Sequence, residues 1–147
     1  MTTPTDPQTT VEAESPPLRL ILVDDAPSTR RLLRAVLDCV SSIEVVDEAD
    51  SGQQAVESAK ALRPDVVLLD LSLPDTDGAQ ILPELLHVAP GAKIVILSHT
   101  SRSAGPELVA AGASGFIEKG LPPYDLVEQL SVVLGVPLSV VSELPES

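Results

Sequence analysis

Five short runs of aliphatic residues, spaced by segments of helical periodicity, constrain this chain more than any other feature. The runs are LRLILV (18–23), IEVVDEA (43–49), DVVLLD (65–70), AKIVILS (92–98) and SGFIEK (114–119). They recur roughly every 24 residues, each short enough for a strand and too short for a stable helix. Between them, STRRLLRAVLDCV places Leu32, Leu33, Val36, Leu37 and Val40 on one helical face, with Ser28 as its expected N-cap. SGQQAVESAKAL opens on Ser51 with Gln54 three residues on, a capping-box pattern. GAQILPELLHVA (78–89) has helical spacing with Pro83 inside it, where a kink is expected. PELVAAGA (106–113) predicts a short helix begun by proline and ended by Gly112, and PPYDLVEQLSVVL (122–134) predicts the last helix. Strands alternating with helices imply an α/β fold, a parallel sheet with helices on both faces. The unbroken apolar run of DVVLLD predicts a strand covered on both sides.

Composition fits one domain. The chain has 147 residues, 44% of them hydrophobic, and its aromatic residues are Phe116 and Tyr124 alone. The core is therefore aliphatic. A net charge of −13 argues against direct nucleic-acid binding. The one basic cluster, Arg30, Arg31 and Arg34, is too small to track a phosphate backbone and reads as a solvated face. Cys39 is the single cysteine, so no intrachain disulfide forms, and its apolar neighbours suit a small core side chain. The N-terminus lacks the pattern of a signal peptide, and no apolar stretch approaches the roughly 20 residues that span a bilayer. A cytoplasmic protein without membrane contact is expected. Residues 1–17, rich in Thr and Pro, read as a disordered lead, 18–134 as the folded domain and 135–147 as a tail. Within that tail LSVVSEL is a candidate for one further turn or strand.

In open parallel sheets the site lies beyond the carboxyl ends of the strands. The residues there are Asp24-Asp25, Asp70, Ser98 and Lys119. Alone, each has an ordinary explanation: a turn, a cap or a surface hydrogen bond. Together they place three carboxylates, a hydroxyl and an ammonium at one edge. Clustered carboxylates repel one another unless a cation sits among them. Oxygen-only ligands suit a hard ion such as Mg²⁺. A carboxylate beside such an ion can attack phosphorus to form an acyl phosphate, with lysine and hydroxyl stabilising the phosphoryl oxygens. No Gly-rich phosphate loop is present, so nucleotide binding has no support.

The segments LRLILVDDAPSTRRLLRAVL, VVLLDLSLPDTDG, KIVILS and GASGFIEK together resemble the receiver domain of bacterial-type response regulators, over about residues 18–134. The resemblance implies a flavodoxin-like, doubly wound, five-stranded parallel sheet of order 2-1-3-4-5. It implies phosphorylation of Asp70 by a histidine kinase or phosphotransfer protein in a two-component phosphorelay. Asp25, Asp70 and the carbonyl of Ser72 would hold Mg²⁺, with Asp24 bound through water. Ser98 would contact the phosphoryl group, Lys119 would pair with it, and Phe116 matches the aromatic switch position. The arginines of the first helix, beside the site edge, read as solvated, with contact to an acidic kinase surface as the alternative. An unidentified downstream protein would meet the face formed by the fourth helix, fifth strand and fifth helix, and a homodimer is among the states such domains allow.

Three positions depart from the family pattern. His99 follows the switch hydroxyl where a small residue is usual. Gly105-Pro106 shortens the fourth helix. Gly120 stands where proline often follows the lysine. The 13 residues after Leu134 are too few for a helix-turn-helix domain, so the expectation is a stand-alone receiver or a fragment, not a turnover enzyme. Two alternatives rest on the same residues. An aspartate-nucleophile phosphatase would need a second acid where Ser72 stands. A pseudo-receiver, binding partners without phosphorylation, draws support from His99 and the short fourth helix.

Overall fold

The computed structural model describes residues 16–71, 73–75, 78–98 and 107–145. The lead segment up to residue 15, Ser72, Asp77, His99 and Gly105-Pro106 lie outside them. Five parallel strands form one sheet: β1 (Leu18–Val23), β2 (Ile43–Ala49), β3 (Val66–Asp70), β4 (Lys93–Ser98) and β5 (Gly115–Glu118). Their spatial order is β2-β1-β3-β4-β5, as the resemblance implied. The helices are α1 (Pro27–Asp38), α2 (Gly52–Leu62), α3 (Gly78–Val88), a single turn α4 (107–110) and α5 (Pro123–Leu134). Among the described residues no helix is long and apolar enough to cross a membrane.

Strand parity divides the core into two layers, because successive side chains point to opposite faces. Leu20 and Leu22 of β1, Val66 and Leu68 of β3, and Val95 and Leu97 of β4 pack with Leu33, Val36 and Leu37 of α1 and Leu126 and Leu130 of α5. Ile21, Val23, Val67, Leu69, Ile94 and Ile96 face the other way, onto Ala55 and Ala59 of α2 and Leu82 and Leu85 of α3. All five residues of β3 are buried, as its unbroken apolar run required.

The helix boundaries refine the sequence reading. α1 begins at Pro27, one residue before Ser28, and its N-cap is Ala26, which makes no side-chain cap hydrogen bond. Proline presets the helical φ and has no N–H to satisfy, so the helix starts there without a hydroxyl cap. α2 carries the expected cap: Ser51 Oγ accepts from Gln54 N at 3.2 Å, and Gln54 Oε1 accepts from Asp50 N at 3.1 Å. α3 continues through Pro83 to Val88. α4 ends sooner than the pattern predicted, because residues 111–112 leave the helix as a turn. Gly112 there has φ +121°, and a Cβ on it would stand 2.6 Å from Leu86 Cδ1.

The segment after α5 is tied down. Ser131 Oγ donates to Val136 O at 2.7 Å, and Val140 forms an isolated antiparallel bridge with Val40. Val141 N donates to Cys39 O at 2.7 Å and Ser41 N to Ser139 O at 3.0 Å. Leu138 and Leu144 pack against the α1/α5 layer. Cys39 is buried there, its Sγ 3.5 Å from Glu143 O.

Candidate functional site

The sheet register brings the acids together. Val23 of β1 pairs with Leu69 of β3, so the next residues, Asp24 and Asp70, stand side by side at the carboxyl edge. Both are buried, at 0% and 2% exposure, whereas Asp25 points to solvent. Asp24 is fixed on three sides: its N–H donates to Ala49 O at 3.0 Å, its Oδ1 accepts from Ala26 N at 2.9 Å, and its carbonyl accepts from Arg30 Nη1 at 2.7 Å. Lys119 follows β5, held by its N–H to Ser98 O at 2.9 Å. Its Nζ lies 3.2 Å from Asp24 Oδ2 and 3.2 Å from Asp70 Oδ1. Burial works against the charge on Lys119, but Asp24 and then Asp70 outweigh it and hold the ammonium's pKa above the ordinary lysine value.

One ligand atom each from Asp24, Asp25 and Asp70 can be chosen so that all lie within 4.8 Å of one another. Three carboxylates face one ammonium, so the site carries about two uncompensated negative charges when its acids are ionised. An all-oxygen donor set with that charge fits a hard divalent cation, and the exposed Asp25 gives it a solvent-facing entry.

Parity separates the remaining residues. Ser98 is buried at the end of β4, in phase with Ile94 and Ile96, on the α2/α3 side. Phe116 pairs in register with Ile96 and packs, partly buried, on that same layer. Asp24, Asp70 and Lys119 are in phase with residues of the α1/α5 layer. Gly120 has φ +91°, a conformation closed to proline, whose ring locks φ near −65°. This explains why glycine rather than proline follows the lysine here.

A model of the response regulator receiver domain matches residues 20–131. The chain belongs to this family. It is 36% identical over 116 residues to the chemotaxis protein CheY of Thermotoga maritima, covering 78% of this chain and 96% of CheY. It is 32% identical over 117 residues to the response regulator GacA of Pseudomonas viridiflava, covering 79% of this chain but 55% of GacA. Its structure resembles a two-component response regulator of the LuxR family from Aurantimonas sp. SI85-9A1, with TM-score 0.72 and 29% identity over 82% of this chain and 87% of that one. The receiver thus spans nearly all of CheY and about half of GacA.

Two features of the receiver were not read from its sequence. The arginines of α1 are not a plain solvated face. Arg30 Nε donates to Glu48 Oε1 at 3.1 Å, Arg34 Nη1 to Glu48 Oε2 at 2.7 Å, and Arg34 Nε to Asp38 Oδ1 at 3.1 Å. Only the Arg34–Asp38 pair, four residues apart on one helix, had a local signal. Asp75, in the loop after β3, caps α2 from a distance: its carboxylate accepts from Gly52 N at 2.8 Å and Gln53 N at 3.0 Å. Those two N–H groups hold the Asp75 pKa below the ordinary carboxylate value.

Proposed function

We propose that this receiver accepts a phosphoryl group on Asp70 and uses it to switch a protein-interaction face. The observation that carries the reading is Lys119 Nζ at 3.2 Å from both Asp24 and Asp70, in an acid cluster at the carboxyl edge. Asp24, Asp25 and Asp70 would hold Mg²⁺, together with the carbonyl of Ser72. Bound there, the cation would neutralise charge on the phosphoryl oxygens. A carboxylate oxygen of Asp70 attacks phosphorus, and the bond from phosphorus to the donor's leaving atom breaks. The donor is a histidine kinase or phosphotransfer protein. Lys119 then pairs with the new phosphoryl group, and Ser98 hydrogen-bonds it from the opposite face of the sheet. Phe116, on the Ser98 side, shifts with it and changes the surface offered to a downstream protein. The phosphoryl group shifts this equilibrium only through contacts that differ between the two states, here those of Ser98 and Lys119. The chain is read as a signalling domain, not a turnover enzyme, with 18–134 as the functional unit.

The test is incubation with Mg²⁺ and a small-molecule acyl phosphate, followed by intact mass. The wild type should gain the mass of one phosphoryl group and Asp70→Asn none. An unmodified wild type, or equal modification of D70N, would overturn the assignment.

A further inference from the structure

We propose that Arg30 is a positioning residue for the cation site and acts through the Asp24–Asp25 peptide. The inference rests on the reading that Asp24, Asp25 and Asp70 bind a divalent cation. Arg30 Nη1 donates to the carbonyl of Asp24 at 2.7 Å, and Arg30 Nε is held by Glu48 Oε1 at 3.1 Å. The end of β2 thus grips the backbone on both sides of the Asp24 Cα, and Arg30 is its hold on the Asp24–Asp25 peptide. Ala49 accepts the N–H of Asp24, and its neighbour Glu48 holds the guanidinium that donates to the Asp24 carbonyl. A peptide group is planar, so fixing the carbonyl of Asp24 also fixes the N–H and Cα of Asp25. Asp25 is the exposed acid of the cluster, and the direction of its carboxylate depends on that backbone. Arg30 is well suited to the task, since its rigid fork engages two acceptors at once.

The competing account treats Arg30 as a nearby positive charge and nothing more. The two accounts predict opposite signs. A bare cation near the site repels a second cation, so removing it would tighten Mg²⁺ binding. Removing a positioning group weakens metal binding, by about ten-fold or more where an outer hydrogen-bond partner of a ligand is lost.

The experiment is calorimetric titration of the full chain with Mg²⁺. Arg30→Met is expected to weaken binding by about ten-fold or more. Arg30→Lys should fail to rescue it, because one ammonium cannot span Asp24 O and Glu48. Arg34→Met breaks the same Glu48 network without touching Asp24 and should leave the affinity near that of the wild type. Arg30→Lys keeps the charge, so the bare-charge account predicts wild-type affinity for it, and it carries the test if R30M does not fold. Tighter or unchanged binding by R30M, or wild-type affinity in R30K in its place, overturns the inference while leaving the cation site intact. No Mg²⁺ binding by the wild type overturns both.

Discussion

Lys119 neutralises buried charge, so replacing it with methionine, which matches its aliphatic length, isolates the ammonium. Its Nζ stands 3.2 Å from Asp24 Oδ2 and from Asp70 Oδ1. At an effective dielectric of about 20, each contact is worth about 5 kcal/mol of gross attraction. Desolvation of the ammonium cancels several kcal/mol of that, and breaking a buried pair by removing one partner costs about 3–5 kcal/mol net. The Lys119 side chain keeps 10% exposure, which places the expected loss near the lower bound, about 3 kcal/mol. For a chain of this length that is a fall in Tm of roughly 6–12 °C. The melts are followed by circular dichroism, first in chelator and then with Mg²⁺. In chelator K119M should melt well below the wild type. With Mg²⁺ the gap should narrow, because the ammonium no longer competes with the cation for Asp24 and Asp70, and the variant should gain more stability from it. A variant as stable as the wild type in chelator, or one that gains less from Mg²⁺, would refute the reasoning.

Asp75 should give a pH signature. A carboxyl whose folded pKa is depressed contributes stability that is fully present above its ordinary value of 3.8 and is lost as pH falls through the lower folded value. Asp75→Ala should therefore be less stable than the wild type at neutral pH, with the difference shrinking below pH 3.8 in acid-denaturation curves. At Gly112, φ +121° and a Cβ 2.6 Å from Leu86 Cδ1 make alanine both strained and crowded. Gly112→Ala should cost about 1–3 kcal/mol in urea unfolding. A chain ending at Gly135 loses the Val40–Val140 bridge and the cover over Cys39. Because Cys39 is the single cysteine, reaction with an aromatic disulfide reagent reports on that cover directly, and the truncated chain should react at least about ten-fold faster.

What was legible in the sequence was local. β1 and β2 fall where their apolar runs placed them, because a short aliphatic run has few other ways to be buried. The Ser51–Gln54 cap was readable because its partners are three residues apart. The acid cluster was inferred because parallel strands bring their carboxyl ends to one edge, whatever the loops between them do. The features that escaped depend on contacts distant in sequence. Asp75 caps a helix that begins 23 residues earlier. Arg30 looked like surface charge until Glu48, 18 residues on, turned it toward Asp24. The start of α1 was missed for a different reason: Ser28 is a common cap, but the proline before it begins the helix unaided.

Sheet parity bears on how the proposed switch would be wired. Asp24, Asp70 and Lys119 are in phase with the α1/α5 layer, whereas Ser98 and Phe116 are in phase with the α2/α3 layer. A phosphoryl group on Asp70 lies at the edge where both faces end, so it can engage Lys119 on one side and Ser98 on the other. The two contacts then have different consequences. Lys119 already serves Asp24 and Asp70, so its pairing with phosphate would exchange one anion for another and mainly stabilise the product. Ser98 is buried beside the strand that carries Phe116, and any inward movement must be absorbed in an aliphatic layer packed like a solid. The stabilising contact and the transmitting contact would thus lead into different layers of the core. Ser98→Ala should accordingly retain phosphoryl acceptance at Asp70 while losing the change at the α4–β5–α5 face, and Lys119→Met should shorten the lifetime of the acyl phosphate. Intact mass against time measures the lifetime, and amide hydrogen exchange over 107–134 measures the face. Loss of the exchange response in K119M at full phosphorylation, with S98A unaffected, would show the wiring to be the reverse.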